Sequence, residues 1–323
     1  MIEKRKILPC FPIPYPDECL YSMVARYHVR SGNPHFKFSI MDLFPNPKSK
    51  YSTVASTITM PSHLTCTDHW ADSKYGLTTE YIVKNHTAIQ FYAIRTNYSP
   101  SVVMNPKNCH FHQLAVLHPH RHLRYCPLCA QEQHKVYGEA YWQRLPQLRG
   151  AEYCPFHEIP YVSSVVSVAE AGSKAFTASY VLSLNTASSN DSSDSFTQHK
   201  VDPSVKKSYI EISKDITWLL ANGYKLNGID YTFKVIEKKL SLQSKGLYGR
   251  TIEKYALDVY PKKIVYESFP CFRSDAGSYN SYTLHDMKPV QLSMLMSIAC
   301  GNVSSFAQKR NEMYPNPIYS SII

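Results

Sequence analysis

The sequence predicts a mainly helical protein built around one small cysteine-stapled module. Three observations carry that expectation. Apolar residues recur at three- and four-residue intervals in several stretches, the signature of helices with one buried face. Two pairs of metal-type side chains, Cys126 with Cys129 and Cys154 with His157, each enclose two residues. A polar stretch, SSNDSSDS at 188–195, then precedes a second run of helical patterns and has the composition of a linker. At 323 residues with 44% apolar content, the chain is long enough for about two domains with real cores. We expect an N-terminal domain over 1–187 holding the module at 126–157, a Ser-rich linker over 188–200, and a helical domain over 201–323.

The elements follow in order. Pro9 to Pro16 is an extended approach, because each proline biases its predecessor away from helix. PDECLYSMVARYHVRSG reads as a helix capped by Asp17, with Leu20, Met23, Val24 and Tyr27 on its apolar face and Gly32 as its stop. Arg26 and Arg30 fall off that face and are expected to reach outward. A single helix is expected over 79–94, with Tyr81, Ile82, Ile89 and Tyr92 buried. Beyond the linker, helices are expected from Pro203 to Asn222, from Tyr231 to Leu240, within LYGRTIEKYALDVY with Thr251 as cap, and from Pro289 to Ala299. Short helices with tight Gly-containing turns suit a helix-turn-helix or winged-helix arrangement, and equally a small bundle.

The chemistry concentrates in the paired ligands. Two residues between ligands let a tight turn present both side chains to one ion, and two such turns close a tetrahedral zinc site. Proline follows the first Cys of each pair, which suits a turn, and the span between them fits a zinc-ribbon or treble-clef-like module. Cys126, Cys129, Cys154 and His157 are thus expected to hold one structural Zn2+. Four protein ligands leave no vacancy for reactive water. The chain contains no His-Glu-x-x-His, no phosphate-cradling glycine loop and no nucleophile elbow. The expectation is a protein that is not an enzyme.

Around this module, Tyr141 and Trp142 are expected to cover the metal site, with Arg144, Gln147 and Arg149 facing out. His110, His112, His118, His120 and His122 read as a polar or phosphate-facing surface ahead of a second metal site. Arg121 and Arg124 are candidates for phosphate or an acidic protein face. Lys238, Lys239, Lys245, Arg250 and Lys254 are candidate phosphate contacts of the C-terminal helices, or else the solvated faces of those helices. The 35 Lys and Arg against 25 Asp and Glu leave a net charge of +10, which fits a polyanionic partner. Six of the nine cysteines are isolated, which reads as reduced thiols. No stretch of about 18 apolar residues and no signal-type segment occur, so a cytoplasmic, DNA-associated protein with no membrane partner is expected.

With these residues assembled, the N-terminal half resembles the TniQ/TnsD family of transposon target-selection proteins. FPIPYPDECLYSMVAR, MPSHL at 60–64, NHTAIQFY at 85–92 and RYCPLCAQEQHKVYGEAYWQRLPQLRGAEYCPFHEIPY carry the resemblance in order, over roughly 8–162. Further on, LYGRTIEKYALDVYP and MKPVQLSMLMSIACGNVSSFAQK resemble the helix-turn-helix-like module of the TnsD type. The resemblance implies an adaptor that recruits an AAA+ ATPase transposition regulator. The target would be read either as attachment-site DNA or through a CRISPR effector complex with its guide RNA, and a homodimer is compatible with such a role. The alternative is a sequence-specific DNA-binding protein acting through its C-terminal helices. Many relatives carry a second Cys-rich finger and a longer C-terminal region; their lack here leans the expectation toward the RNA-guided class.

Overall fold

In the computed structural model, residues 11–43, 79–94, 120–168, 201–226, 229–242, 249–273 and 283–314 are described. The expected linker at 188–200, MPSHL at 60–64, Lys245, His110, His112 and His118 lie outside them. Contacts group the chain into two units, Met1–Ile89 with Ser99–His199, and Gln90–Tyr98 with Lys200–Ile323.

The first unit begins with α1, Leu20–Ser31, which ends at Gly32 with a left-handed φ of 68°. Leu20, Met23, Val24 and Tyr27 are buried as the periodicity requires. Two expectations for this helix need correction. The residue at its N-terminal boundary is Cys19 and not Asp17, and no side chain caps it. Asp17 instead has φ 56° and binds Arg144 Nε through Oδ1 at 2.8 Å. Arg26 does not reach outward; it is 2% exposed and lies between Glu18 and Glu139, at 2.7 and 2.9 Å. In both cases a buried guanidinium claims the carboxylate, because leaving it unpaired would cost several kcal/mol. A short helix α2, Phe36–Leu43, packs back on α1.

The single helix expected over 79–94 is two: α3, Thr79–His86, and α4, Ile89–Ala93. Arg144 Nη1 donates to the carbonyls of Lys84 and Thr87, both at 3.1 Å, and the Thr87 hydroxyl accepts from Ile89 N at 3.3 Å. Carbonyls drawn to a guanidinium no longer propagate the helix. Ile82 and Ile89 are buried as expected, whereas Tyr81 is 41% exposed. All of α4 past Ile89 groups with the second unit; the remaining elements of the first are β1, His122–Tyr125, α5, Pro127–Tyr137, and β2, Val162–Ser167. The strands pair antiparallel, with Arg124 opposite Ser163 and Tyr125 opposite Val162.

The second unit is helical throughout its described residues. It holds α6, Pro203–Asn222, α7, Ile229–Lys239, α8, Gly249–Val259, α9, Lys262–Ser268, α10, Pro289–Cys300, and α11, Val303–Met313. α6 starts where the sequence places it, with Asp202 accepting from Ser204 N at 2.7 Å and Pro203 in the first turn. α8 starts at Gly249 rather than from a Thr251 cap. α10 is not the last helix: α11 follows after Gly301 and Asn302, bent by 74° from it. α10 is apolar on most sides and packs against α6, α7, α8 and α11, burying Leu292, Met294, Leu295 and Met296. Asp215 of α6 fixes the α10–α11 turn, accepting from Val303 N at 3.0 Å and from the Ser297 hydroxyl. No single described helix is long and apolar enough to cross a membrane.

Candidate metal centre

β1 delivers the chain into Cys126, and Pro127 starts α5 immediately after it, so Cys129 lies in the first turn of that helix. Gly138 closes α5 with φ 78° and donates its N–H to the His134 carbonyl at 2.9 Å. The second pair sits on a tight turn. Cys154 N donates to Ile159 O at 2.8 Å and Glu158 N to Cys154 O at 2.9 Å, while Tyr153 and Pro160 bridge across its base. Because β2 starts just after this turn and pairs with the end of β1, the strand register brings the two ligand pairs together.

The ligand atoms of Cys126, Cys129, Cys154 and His157 all lie within 4.8 Å of one another. His157 presents Nδ1, which lies 3.5, 3.3 and 3.6 Å from the sulfurs of Cys126, Cys129 and Cys154. The Cys129 and Cys154 sulfurs are 3.7 Å apart. A tetrahedral ion with zinc–sulfur bonds of about 2.3 Å requires sulfur–sulfur edges of about 3.8 Å and slightly shorter sulfur–nitrogen edges. The donor set and its spacing fit such an ion.

Electrostatics point the same way. Hydrogen bonding from the Cys126 and Cys129 thiols pulls Cys154 far below the ordinary thiol value, to about 2. Cys129 is pushed well up, first by its hydrogen bonds with Cys126 and Cys154 and then by burial. Three crowded sulfurs thus share one negative charge readily and resist a second, a frustration that a dication relieves by displacing the remaining protons. Burial opposes the charged form of His157, but its hydrogen bonds to Glu132 and Cys154 outweigh this and raise its pKa.

The module is held by arginines turned inward, which corrects the outward reading of Arg124, Arg144 and Gln147. Arg124 is buried; it donates to Pro146 O at 2.9 Å, to Ala151 O at 2.5 Å, and to Glu152 Oε2 at 2.6 Å. The amide of Gln147 brackets the same residue, accepting from Arg124 N at 3.0 Å and donating to Arg124 O at 2.7 Å. Arg144 is spent on Asp17 and two carbonyls, as described. Trp142 and Tyr141 are buried, and Trp142 ties the module to α1 through Cys19 N to Trp142 O at 2.8 Å and Trp142 N to the Ser22 hydroxyl at 3.2 Å.

Glu139, just past α5, accepts from Tyr15 at 2.9 Å, from Arg26 and from Arg30. His86 donates from Nδ1 to Glu18 O at 2.7 Å, and burial together with Arg144 pushes its pKa down to about 4.

The remaining candidate cations are exposed: Arg121 and Arg149 in the first unit, Lys238, Lys239, Arg250 and Lys254 in the second. His122 lies in β1. Sequence reasoning missed Glu132, whose Oε1 is 3.0 Å from His157 Nε2, and the Glu18–Arg26–Glu139 cluster. The spacing of Glu132, three residues after Cys129 on one helix, was the available signal.

Fold and site together define a helical domain stapled by a three-cysteine, one-histidine cluster. Residues 9–160, just under half of the chain, match the family model TniQ. Over 157 residues it is 29% identical to the transposition protein TnsD of transposon Tn7 from Escherichia coli, covering 46% of this chain and 30% of that relative.

Proposed function

We propose that this protein selects targets for transposition as an adaptor, joining a target-site recogniser to an AAA+ ATPase regulator of the transposase. The observation that supports the reading is the match to the TniQ model over a stretch holding four clustered side chains, enough donors to complete a tetrahedral shell. A filled shell supports folding and leaves no position for an activated water, which suits a scaffold and not a catalyst. Cys126, Cys129, Cys154 and His157 would hold one zinc ion, which would supply folding free energy to the module. The recogniser is a CRISPR effector complex with its guide RNA or attachment-site DNA.

The test is an insertion assay with transposase, ATPase and recogniser supplied, together with co-purification of the full chain and the ATPase. Targeted insertion that needs this protein, and capture of the ATPase by it, are expected. Cys154→Ser should abolish both and remove the bound zinc. Insertion that stays on target without the protein overturns the proposal.

A second reading, direct DNA recognition, draws on α10 and α11. They meet through a short Gly-containing turn, and α11 exposes Ser304, Ser305, Gln308 and Lys309. The exposed Lys238 and Lys239 lie on α7, which packs against α11. Footprinting by the isolated protein separates this from recognition through an RNA-guided complex.

A further inference from the structure

We infer that Glu132 is a positioning residue of the metal centre: its carboxylate holds the outer nitrogen of His157 so that Nδ1 faces the ion. The inference rests on the metal reading above. A neutral imidazole carries one N–H, so the nitrogen that binds a metal must leave the proton on the other. Nδ1 of His157 lies among the three sulfurs, and Nε2 lies 3.0 Å from Glu132 Oε1. The carboxylate is therefore placed where it receives the Nε2–H and fixes that tautomer.

The helix makes this placement. Glu132 is three residues beyond Cys129 on α5, so both project from one face. One helix thus contributes Cys129, with Cys126 at its N-terminal boundary, and also the support for a ligand borne on the opposite turn. Electrostatics argue that the contact is selective. Three thiolates around a dication leave a net charge of −1, so another carboxylate at this edge meets repulsion. The N–H to carboxylate bond offsets it, and the 64% exposure of Glu132 keeps its desolvation cost small. Glu158, adjacent to His157 in sequence and also exposed, serves as the charge-matched control.

The experiment measures zinc affinity of the purified full chain by competition with a chromophoric chelator. It compares wild type with Glu132→Ala, Glu132→Gln and Glu158→Gln, and records the His157 ring signals by nitrogen-15 NMR. Wild type should hold one zinc with His157 protonated at Nε2. Removing such a support weakens binding by about 10- to 100-fold. We expect the lower end for Glu132→Ala, with zinc stoichiometry and helix content unchanged and the Nε2–H signal shifted. Glu132→Gln should recover part of the affinity through its amide oxygen, and Glu158→Gln should match wild type.

Equal affinity for wild type and Glu132→Ala with an unmoved Nε2–H signal overturns the inference while leaving the metal reading intact. A loss equal in Glu158→Gln also overturns it, by assigning the effect to charge alone. A wild-type chain that binds no zinc overturns both.

Discussion

Arg26 shows what a single residue can hide. Its position on a helical wheel is off the apolar stripe, yet its guanidinium is buried over the Tyr15 ring, 3.9 Å from the centroid, between two carboxylates. Periodicity registers apolarity and is blind to a cation whose partners come from elsewhere in the chain. Glu139 lies 113 residues away in sequence. We expect Arg26→Ala to cost about 3 kcal/mol in urea denaturation, because Glu18 then stays buried without its counter-ion. His86 supplies a pH test. Its folded pKa is pushed below the ordinary imidazole value to about 4, so the unfolded chain binds the proton first as pH falls. The associated stability is intact above about pH 6.5 and declines below it, by about 2 kcal/mol at pH 5. Denaturation midpoints at several pH values should show this slope in wild type and a shallower one in His86→Gln.

Among the elements, helices whose patterns run uninterrupted came through with accurate bounds, α6 above all. Elements decided by contacts did not. The break between α3 and α4 follows from Arg144 claiming two carbonyls, and the short turn into α11 follows from Asp215 seizing Val303 N. Close approach matters at one glycine in particular. A Cβ on Gly223 would stand 2.2 Å from the Gln90 carbonyl oxygen, and Tyr224 N donates to the Gln90 side chain at 2.9 Å. Backbone cannot yield as a side-chain tip does. Gly223→Ala should therefore cost about 3 kcal/mol in a thermal or urea melt.

For the whole molecule, Arg26, Arg124, Arg144 and Arg310 are internal braces among the described residues, while the candidate cations Arg121, Arg149, Lys238, Lys239, Arg250 and Lys254 carry their charge into solvent. Lys238 and Lys239 are the members of that set with the most direct consequence. If the C-terminal helices meet DNA, each phosphate contact contributes about 0.9 to the slope of log affinity against log salt. Lys238→Gln combined with Lys239→Gln should then lower the slope by about 2 in a binding titration, and an unchanged slope returns both to solvated surface.

The order of motifs, the pairing of four metal-type ligands and the start of α6 were legible in the amino-acid sequence, because each depends on residues a few positions apart. Ligand spacing within a turn, proline in a first helical turn and a three-to-four-residue period are local physics. The meeting of the two ligand pairs, the inward course of Arg26, Arg124 and Arg144, and the support of His157 by Glu132 were decided by tertiary structure. Each needs groups brought together across 25 or more residues, and the burial that makes such pairing obligatory exists only after the chain has folded.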